Sequence, residues 1–200
     1  MGDYQNYMNR KDTTKFLSHL LEVTKFSGYG KYWAKEVTLD YGKTEIVEDN
    51  NGNFKEKSKT KRIDYLQFEP VNQLSIDGIE KGIFICYEIK SCKEDFLSGY
   101  GQNFIGEKNY LVMTMRTYKE LVECGEINKL SHKIGILVAM PLSRKYSDRR
   151  LIEEYENPTK LEDCVDWYLE TIRASNKSYR EKSMIELLFC MLRSNMRGLK

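Results

Sequence analysis

The segment at residues 82–90, GIFICYEIK, constrains this chain more than any other stretch: an apolar, β-forming run that ends on a glutamate and a lysine two residues apart. It is too short for a core helix and rich in strand formers, so it reads as a central strand covered on both faces. Successive side chains of a strand point to opposite faces. Glu88 and Lys90 therefore share one face, while Tyr87 and Ile89 take the other. A carboxylate and an ammonium at the end of such a strand are costly to bury without a purpose.

Around this strand the pattern alternates. Phe16, Leu17, Leu20, Leu21 and Val23 recur at helical spacing, which predicts a helix over 13–26 capped by Thr13 or Thr14. Strands are expected at 34–41, with Val37, Leu39 and Tyr41 on one face, and at 62–68. A polar, lysine-rich tip with an Asn-Asn-Gly-Asn turn signal joins them. A helical turn at 92–98 precedes a strand at 109–115, and a second helical stretch near 117–124 separates that strand from one at 134–140. Beyond Pro141 the composition becomes charged and linker-like, followed by amphipathic helices near 161–174 and 179–196. The expected organisation is an α/β core, residues 1–142, with a mixed central sheet flanked by helices. Residues 143–200 form a charged linker and a C-terminal helical extension packing on that core.

Composition narrows the function classes. With 32 basic against 30 acidic residues the formal charge is +2, which excludes a polycation that coats nucleic acid by bulk charge but leaves room for a local basic groove. Five cysteines without a C-x-x-C pair argue for reduced, mostly buried thiols instead of a disulfide framework or a zinc site. No apolar run approaches the roughly 18 residues of a membrane span, and the N-terminus lacks the plan of a secretory signal. A cytoplasmic protein without membrane contact is the expectation.

Asp64 lies in the alternating strand expected to pair with the central one. In the right register Asp64 and Glu88 converge, with Lys90 beside them. Two carboxylates supply hard oxygen ligands for Mg²⁺, which keeps several waters and takes a substrate phosphate as a further ligand. A lysine at such a site orients the attacking water or stabilises charge on the phosphate. The triplet E-x-K occurs once in the chain, at the end of its most strand-like run. The plainer alternative is a surface salt bridge between Glu88 and Lys90 on an exposed strand face.

The order helix, strand, R-x-D strand, strand ending in E-I-K resembles the PD-(D/E)xK nuclease superfamily, the restriction-endonuclease-like fold. The stretch EIKSCKEDFLSGYGQNFIGEKNYLVM is similar to the EIK-x-S-x-x-DF segment of small phage and prophage nuclease-like proteins and of MmcB-like DNA-repair proteins. The likeness covers roughly residues 34–141; Ile63 stands where the superfamily pattern has proline. It implies that Asp64 and Glu88 are metal ligands with the backbone carbonyl of Ile89, and that Lys90 is the catalytic lysine. The implied cofactor is Mg²⁺, with Mn²⁺ able to substitute. The family adds an early acidic residue, for which Glu36 is favoured and Glu22 is the fallback, since Glu22 lies opposite the apolar stripe of its helix. A polar residue after E-x-K often assists, and Gln102 is the candidate; capping of a glycine turn is the alternative. Asp95 and Phe96 match the family segment but read as a helix-start aspartate and a core ring.

Phosphate contact would come from Lys55, Lys57, Lys59, Lys61 and Arg62 on the hairpin adjoining Asp64, and from Lys108. A second basic cluster, Arg144, Lys145, Arg149 and Arg150, follows Pro141. Such clusters are often only solvated surface. The two histidines have no partners at ligand spacing. Two stripes, one around Trp167 and Tyr168 and one of Met184, Leu187, Leu188, Met191 and Leu192, read as core or as a homodimer contact. The sequence thus points to a Mg²⁺-dependent nuclease (a hydrolase acting on DNA) in a phage, prophage or repair setting. The alternatives are a non-catalytic nucleic-acid-binding or phage regulatory protein that keeps the fold, and an interaction protein that uses its helical tail.

Overall fold

The computed structural model describes residues 8–48, 52–144 and 161–197. Helix α1 (Arg10–Leu21) begins earlier than either threonine, at Asn9, whose side chain accepts the Asp12 N–H at 2.9 Å. It runs into a π-helical turn, Glu22–Phe26. Strand β1 (Tyr32–Leu39) follows, then a hairpin of β2 (Thr44–Glu48) and β3 (Phe54–Ser58), and β4 (Lys61–Glu69). A short α2 (Ile76–Glu80) leads into β5 (Ile83–Lys90). Next come α3 (Lys93–Leu97), β6 (Lys108–Thr114), α4 (Met115–Glu123), α5 (Glu126–Lys129) and β7 (Ile134–Pro141). Strand β8 (Trp167–Arg173) and helix α6 (Met184–Arg197) are the last strand and helix among the described residues.

Six strands form one mixed sheet in the order β1-β4-β5-β6-β7-β8, and β2 with β3 makes a separate two-stranded ribbon. β5, β6 and β7 run parallel, while β1, β4 and β8 pair antiparallel to their neighbours. The fold class is therefore α/β, a mixed sheet flanked by helices with a C-terminal helix. The alternation along β5 sorts its core. Ile85, Tyr87 and Ile89 pack with Phe16, Leu17, Leu20 and Leu21 of α1 on one face. Phe84 and Cys86 face the other way, into a cluster completed by Leu187, Cys190 and Met191 of α6. Next to it, Leu111, Met113, Ile136 and Val138 are covered by Phe96, Leu121 and Ile127 from α3, α4 and α5. Glu88 and Lys90 continue the row of Phe84 and Cys86.

The C-terminal third differs from the sequence expectation. Residues 161–174 do not form a helix: Leu161–Asp166 is a 3-10 turn, and Trp167–Arg173 is an edge strand paired with β7. Trp167 and Leu169 join the α1 face, while Tyr168 and Ile172 lean on the opposite one. The alternation of a strand was present within WYLETIR, but the apolar residues also satisfied helical spacing, and pairing with β7 decides between them. Trp167–Arg173 is thus part of the sheet and its core, and the expected charged linker at 145–160 lies outside the described residues. The last expected helix, near 179–196, starts five residues later, at Met184, and packs against β1. Between β8 and α6 the chain crosses from one edge of the sheet to the other, held by Ser178 N–H to Glu107 O at 2.8 Å and by Glu181 N–H to Ile105 O at 3.1 Å.

The described cysteines form no disulfide; Cys86, Cys164 and Cys190 are buried, Cys92 is half-buried and Cys124 is exposed. Among the described residues no helix is long and apolar enough to cross a membrane.

Candidate active site

The site forms where β4 begins and β5 ends. The antiparallel ladder of these strands runs from Glu69↔Ile83 to Tyr65↔Tyr87, so one further step sets Asp64 opposite Glu88. At this point the regular ladder stops and side chains take over. Asp64 Oδ2 accepts the backbone N–H of Ile89 at 2.8 Å. On the other side of Asp64, the β1 ladder pairs Lys35 with Tyr65 and Val37 with Ile63, and Glu36 stands opposite Asp64 with a left-handed φ of 52°. This kink changes the phase of both strands: Ala34 and Val37, and likewise Ile63 and Leu66, enter the same core cluster although a regular strand would separate them.

Glu88 is fully buried at 0% exposure, and neither carboxylate oxygen meets a hydrogen-bond donor in good geometry. Its pKa is raised to about 9, by burial first and then by the neighbouring charge of Asp64, with Lys90 opposing the rise. Asp64 is also raised, again by burial first, with the Ile89 N–H and the Lys90 charge holding it down. Lys90 is 2% exposed and donates from Nζ to the carbonyl of Tyr100 at 2.5 Å. Two acids and one lysine are thus gathered in a dry place, and the plainer expectation of an exposed Glu88–Lys90 surface pair does not hold.

The cover is the turn after α3. Gly99 and Gly101 take left-handed φ values of 70° and 63°, and a Cβ on Gly101 would stand 3.1 Å from Glu88 Oε2 and 3.4 Å from Lys90 Nζ. Only a glycine lets the backbone approach the two side chains this closely. Asn103 ties the turn to β4 through its side-chain amide, which donates to Arg62 O at 2.8 Å, and its backbone N–H helps hold the Glu88 carboxyl down.

Three other candidates land elsewhere. Gln102 turns away from Glu88 and donates from Nε2 to Phe96 O at 3.0 Å, so it caps the end of α3. Glu36 is exposed, and the charges acting most strongly on Asp64 are those of Lys90, Arg62 and Asp95, with Glu36 absent from the set. Glu22 is half-buried instead of solvent-facing: its Oε1 accepts the Tyr65 hydroxyl at 2.5 Å and pairs with Lys35 Nζ at 3.1 Å, on the α1 face of the sheet. Lys35 and Tyr65, which sit on the α1 side, are what draw it in. The acidic neighbour that sequence reading missed is Asp95, whose carboxylate takes Arg10 at 2.7 Å and the backbone N–H and hydroxyl of Ser91 at 3.2 Å. Its place in the DF segment was the available signal, and a helix-start reading absorbed it. Phe96 is the core ring expected.

The basic hairpin extends from the end of the sheet that holds Asp64, because it is inserted between the end of β1 and the start of β4. Lys55, Lys57, Lys59, Lys61 and Arg62 are all exposed there, with Lys59 paired to Glu45 at 3.2 Å. Phe54 stands 74% exposed beside them. Lys108 does not join this surface. It pairs in register with Ile85 at the start of β5, three residues or about 10 Å along the strand from the level of Glu88. There it lines a small cavity with Lys25, Lys31, Tyr87 and Tyr110 on the α1 face. Lys145, Arg149 and Arg150 of the second basic cluster lie outside the described residues, and Arg144 closes a 3-10 turn after β7.

Among the described residues no group of three or more His, Cys, Asp or Glu side chains is arranged around one metal position. What the site offers is smaller: two carboxylates, one of them an orphaned buried Glu88, with strand backbone between them. That donor set fits Mg²⁺ or Mn²⁺, which retain water as most of their ligands. In comparisons with family models, characterised proteins and solved structures, the chain finds no match. The reading of this site rests on its own residues.

Proposed function

We propose that this protein is a metal-dependent nuclease of the restriction-endonuclease-like class that hydrolyses phosphodiester bonds in DNA, in a phage, prophage or DNA-repair setting. The observation that carries this reading is Glu88, a carboxyl group at 0% exposure whose oxygens make no well-formed hydrogen bond, beside a second carboxyl and a buried lysine. A buried acid in that state costs stability unless something positive is meant to meet it. The order of elements supports it: a helix, the β1 strand, Asp64 on β4 and Glu88-x-Lys90 on β5 follow one another as in the superfamily the sequence resembles.

Asp64 and Glu88, with the carbonyl of Ile89, would hold Mg²⁺ or Mn²⁺. Bound there, the ion would neutralise charge on the scissile phosphate and make a water nucleophile accessible near neutral pH. The Ile89 N–H fixes the Asp64 carboxylate in place. Lys90, aimed by the Tyr100 carbonyl, acts as a point charge toward the phosphate and orients the attacking water. Glu88 and Lys90 are covered, so substrate entry requires the Gly99–Gly101 turn to lift, and the two left-handed glycines give that turn its freedom. The exposed lysines of the β2–β3 ribbon then track the phosphates of the bound strand.

The test is cleavage of supercoiled plasmid and labelled oligonucleotides. Activity with Mg²⁺ that disappears in EDTA and in Lys90→Ala supports the reading. The covered state of Glu88 and Lys90 favours a second reading, a nucleic-acid-binding module without turnover; equal binding of DNA by the wild type and Lys90→Ala, with no cleavage by either, would select it.

A further inference from the structure

Helix α6 is apolar on two opposite sides. Its inner side, Leu187, Cys190 and Met191, is buried against β1, β4 and β5. Side chains of the same helix also close the free edge of the sheet: Arg193 and Ser194 donate to the carbonyls of Thr38 and Lys35, and Asn195 to that of Trp33 at 3.4 Å. The β1 edge is thereby blocked against pairing with another strand. On its outer side Ile185, Phe189, Leu192 and Met196 are 81%, 60%, 64% and 70% exposed. At 100° per residue they fall within an arc of about 60°, roughly opposite the buried side. Such a stripe is costly to leave in water and marks an interaction surface. It continues into a groove of about 490 Å³ lined by Tyr32, Trp33, Phe68, Leu188 and Leu192.

We propose that this stripe binds the same stripe on a second copy of the chain, as an antiparallel helix pair. The spacing is what selects the occupant. The steps 4, 3, 4 are those of a coiled-coil seam, and they read identically in both directions. A twofold axis between residues 190 and 191 therefore sets Ile185 against Met196 and Phe189 against Leu192 of the other copy, with no position left over. Charge follows the same symmetry. Glu186 and Arg193 lie on one flank of the stripe, seven residues apart. Antiparallel packing brings each Glu186 toward the opposing Arg193, whose guanidinium already sits over the Phe189 ring at 5.9 Å. A parallel arrangement would place this flank of the two copies on opposite sides of the seam and leave the charges unmatched. An unrelated partner would have no need of a stripe that is its own complement.

The test is the solution mass of the whole chain by light scattering and sedimentation over a dilution series. The wild type is expected at twice the monomer mass. Phe189→Glu and Leu192→Glu, each placing a carboxylate in the seam, are expected to weaken dimerisation at least 100-fold. Both positions are exposed in the single chain, so near-ultraviolet circular dichroism confirms that the variants stay folded. Leu74→Glu, at an apolar residue 97% exposed but off the stripe, is the control and should leave the dimer intact. A wild type that remains monomeric at every concentration overturns the proposal. So does a dimer that survives both seam substitutions. Neither result depends on whether the chain cleaves DNA.

Discussion

The carboxylate of Asp64 accepts the backbone N–H of Ile89 at 2.8 Å, and so takes over where the β4–β5 ladder ends. One bond thus links the first acid of the site to the peptide that follows the second. Asp64 is held in place, while Glu88, opposite it, makes no well-formed hydrogen bond. Fixing one carboxylate and orphaning the other is the arrangement a divalent ion would complete.

Glu88 should make the metal-free protein pH-sensitive. The folded state keeps its proton up to about pH 9, whereas the unfolded chain releases it near the ordinary 4.5. Between those values the folded state binds more protons, so this group's contribution to stability falls as pH rises, by at most about 1.4 kcal/mol per unit. Glu88→Gln keeps the shape and removes the titration. Urea melts are expected to show the variant about equal to the wild type at pH 5 and about 1–3 kcal/mol more stable at pH 8. An unchanged difference across that range would contradict the burial of a lone carboxyl here.

Gly101 should be irreplaceable for activity and Gly99 only mildly constrained. Both need positive φ, which costs an alanine about 1 kcal/mol. Only at Gly101 does a Cβ crowd Glu88 and Lys90; at Gly99 it meets nothing within 4 Å. Thermal melts are expected to place both alanine variants close together, while DNA cleavage falls at least about 10-fold more in Gly101→Ala. Equal cleavage by the two variants would remove this turn from the site.

Arg180→Met is expected to destabilise without touching the chemistry. Arg180 pairs with the nearly buried Glu107 at 3.0 Å and lies over the Phe84 ring at 5.5 Å, while Glu107 also accepts the Phe84 N–H at 2.8 Å. Removing the cation leaves Glu107 uncompensated, at a cost of about 3 kcal/mol. Denaturant melts should show that loss, and cleavage per folded molecule should be unchanged.

The legible parts of this chain were those in which a single periodicity wins. The runs that became β5, β6 and β7 are apolar and bounded by turns, and Asp64 and Glu88 met because pairing of neighbouring strands follows from their alternation. The parts that escaped reading depend on distant partners. Trp167–Arg173 fits both periods, and only β7 beside it selects a strand. Glu36 looked like a site acid on a regular strand, but a left-handed kink at that very residue leaves it exposed. Gln102 and Asn103 were indistinguishable as neighbours in a glycine turn; the fold of that turn gives Asn103 to the site and Gln102 to α3. The orphaned state of Glu88 belongs to no local pattern at all.

Direct binding of Mn²⁺, followed by electron paramagnetic resonance at pH 8, tests the account at its centre. Wild-type protein is expected to bind one ion per chain, released by excess Mg²⁺, and the Asp64→Asn/Glu88→Gln double variant to bind none while remaining folded. Binding that survives in the double variant, or a wild type that takes up no ion, would contradict it.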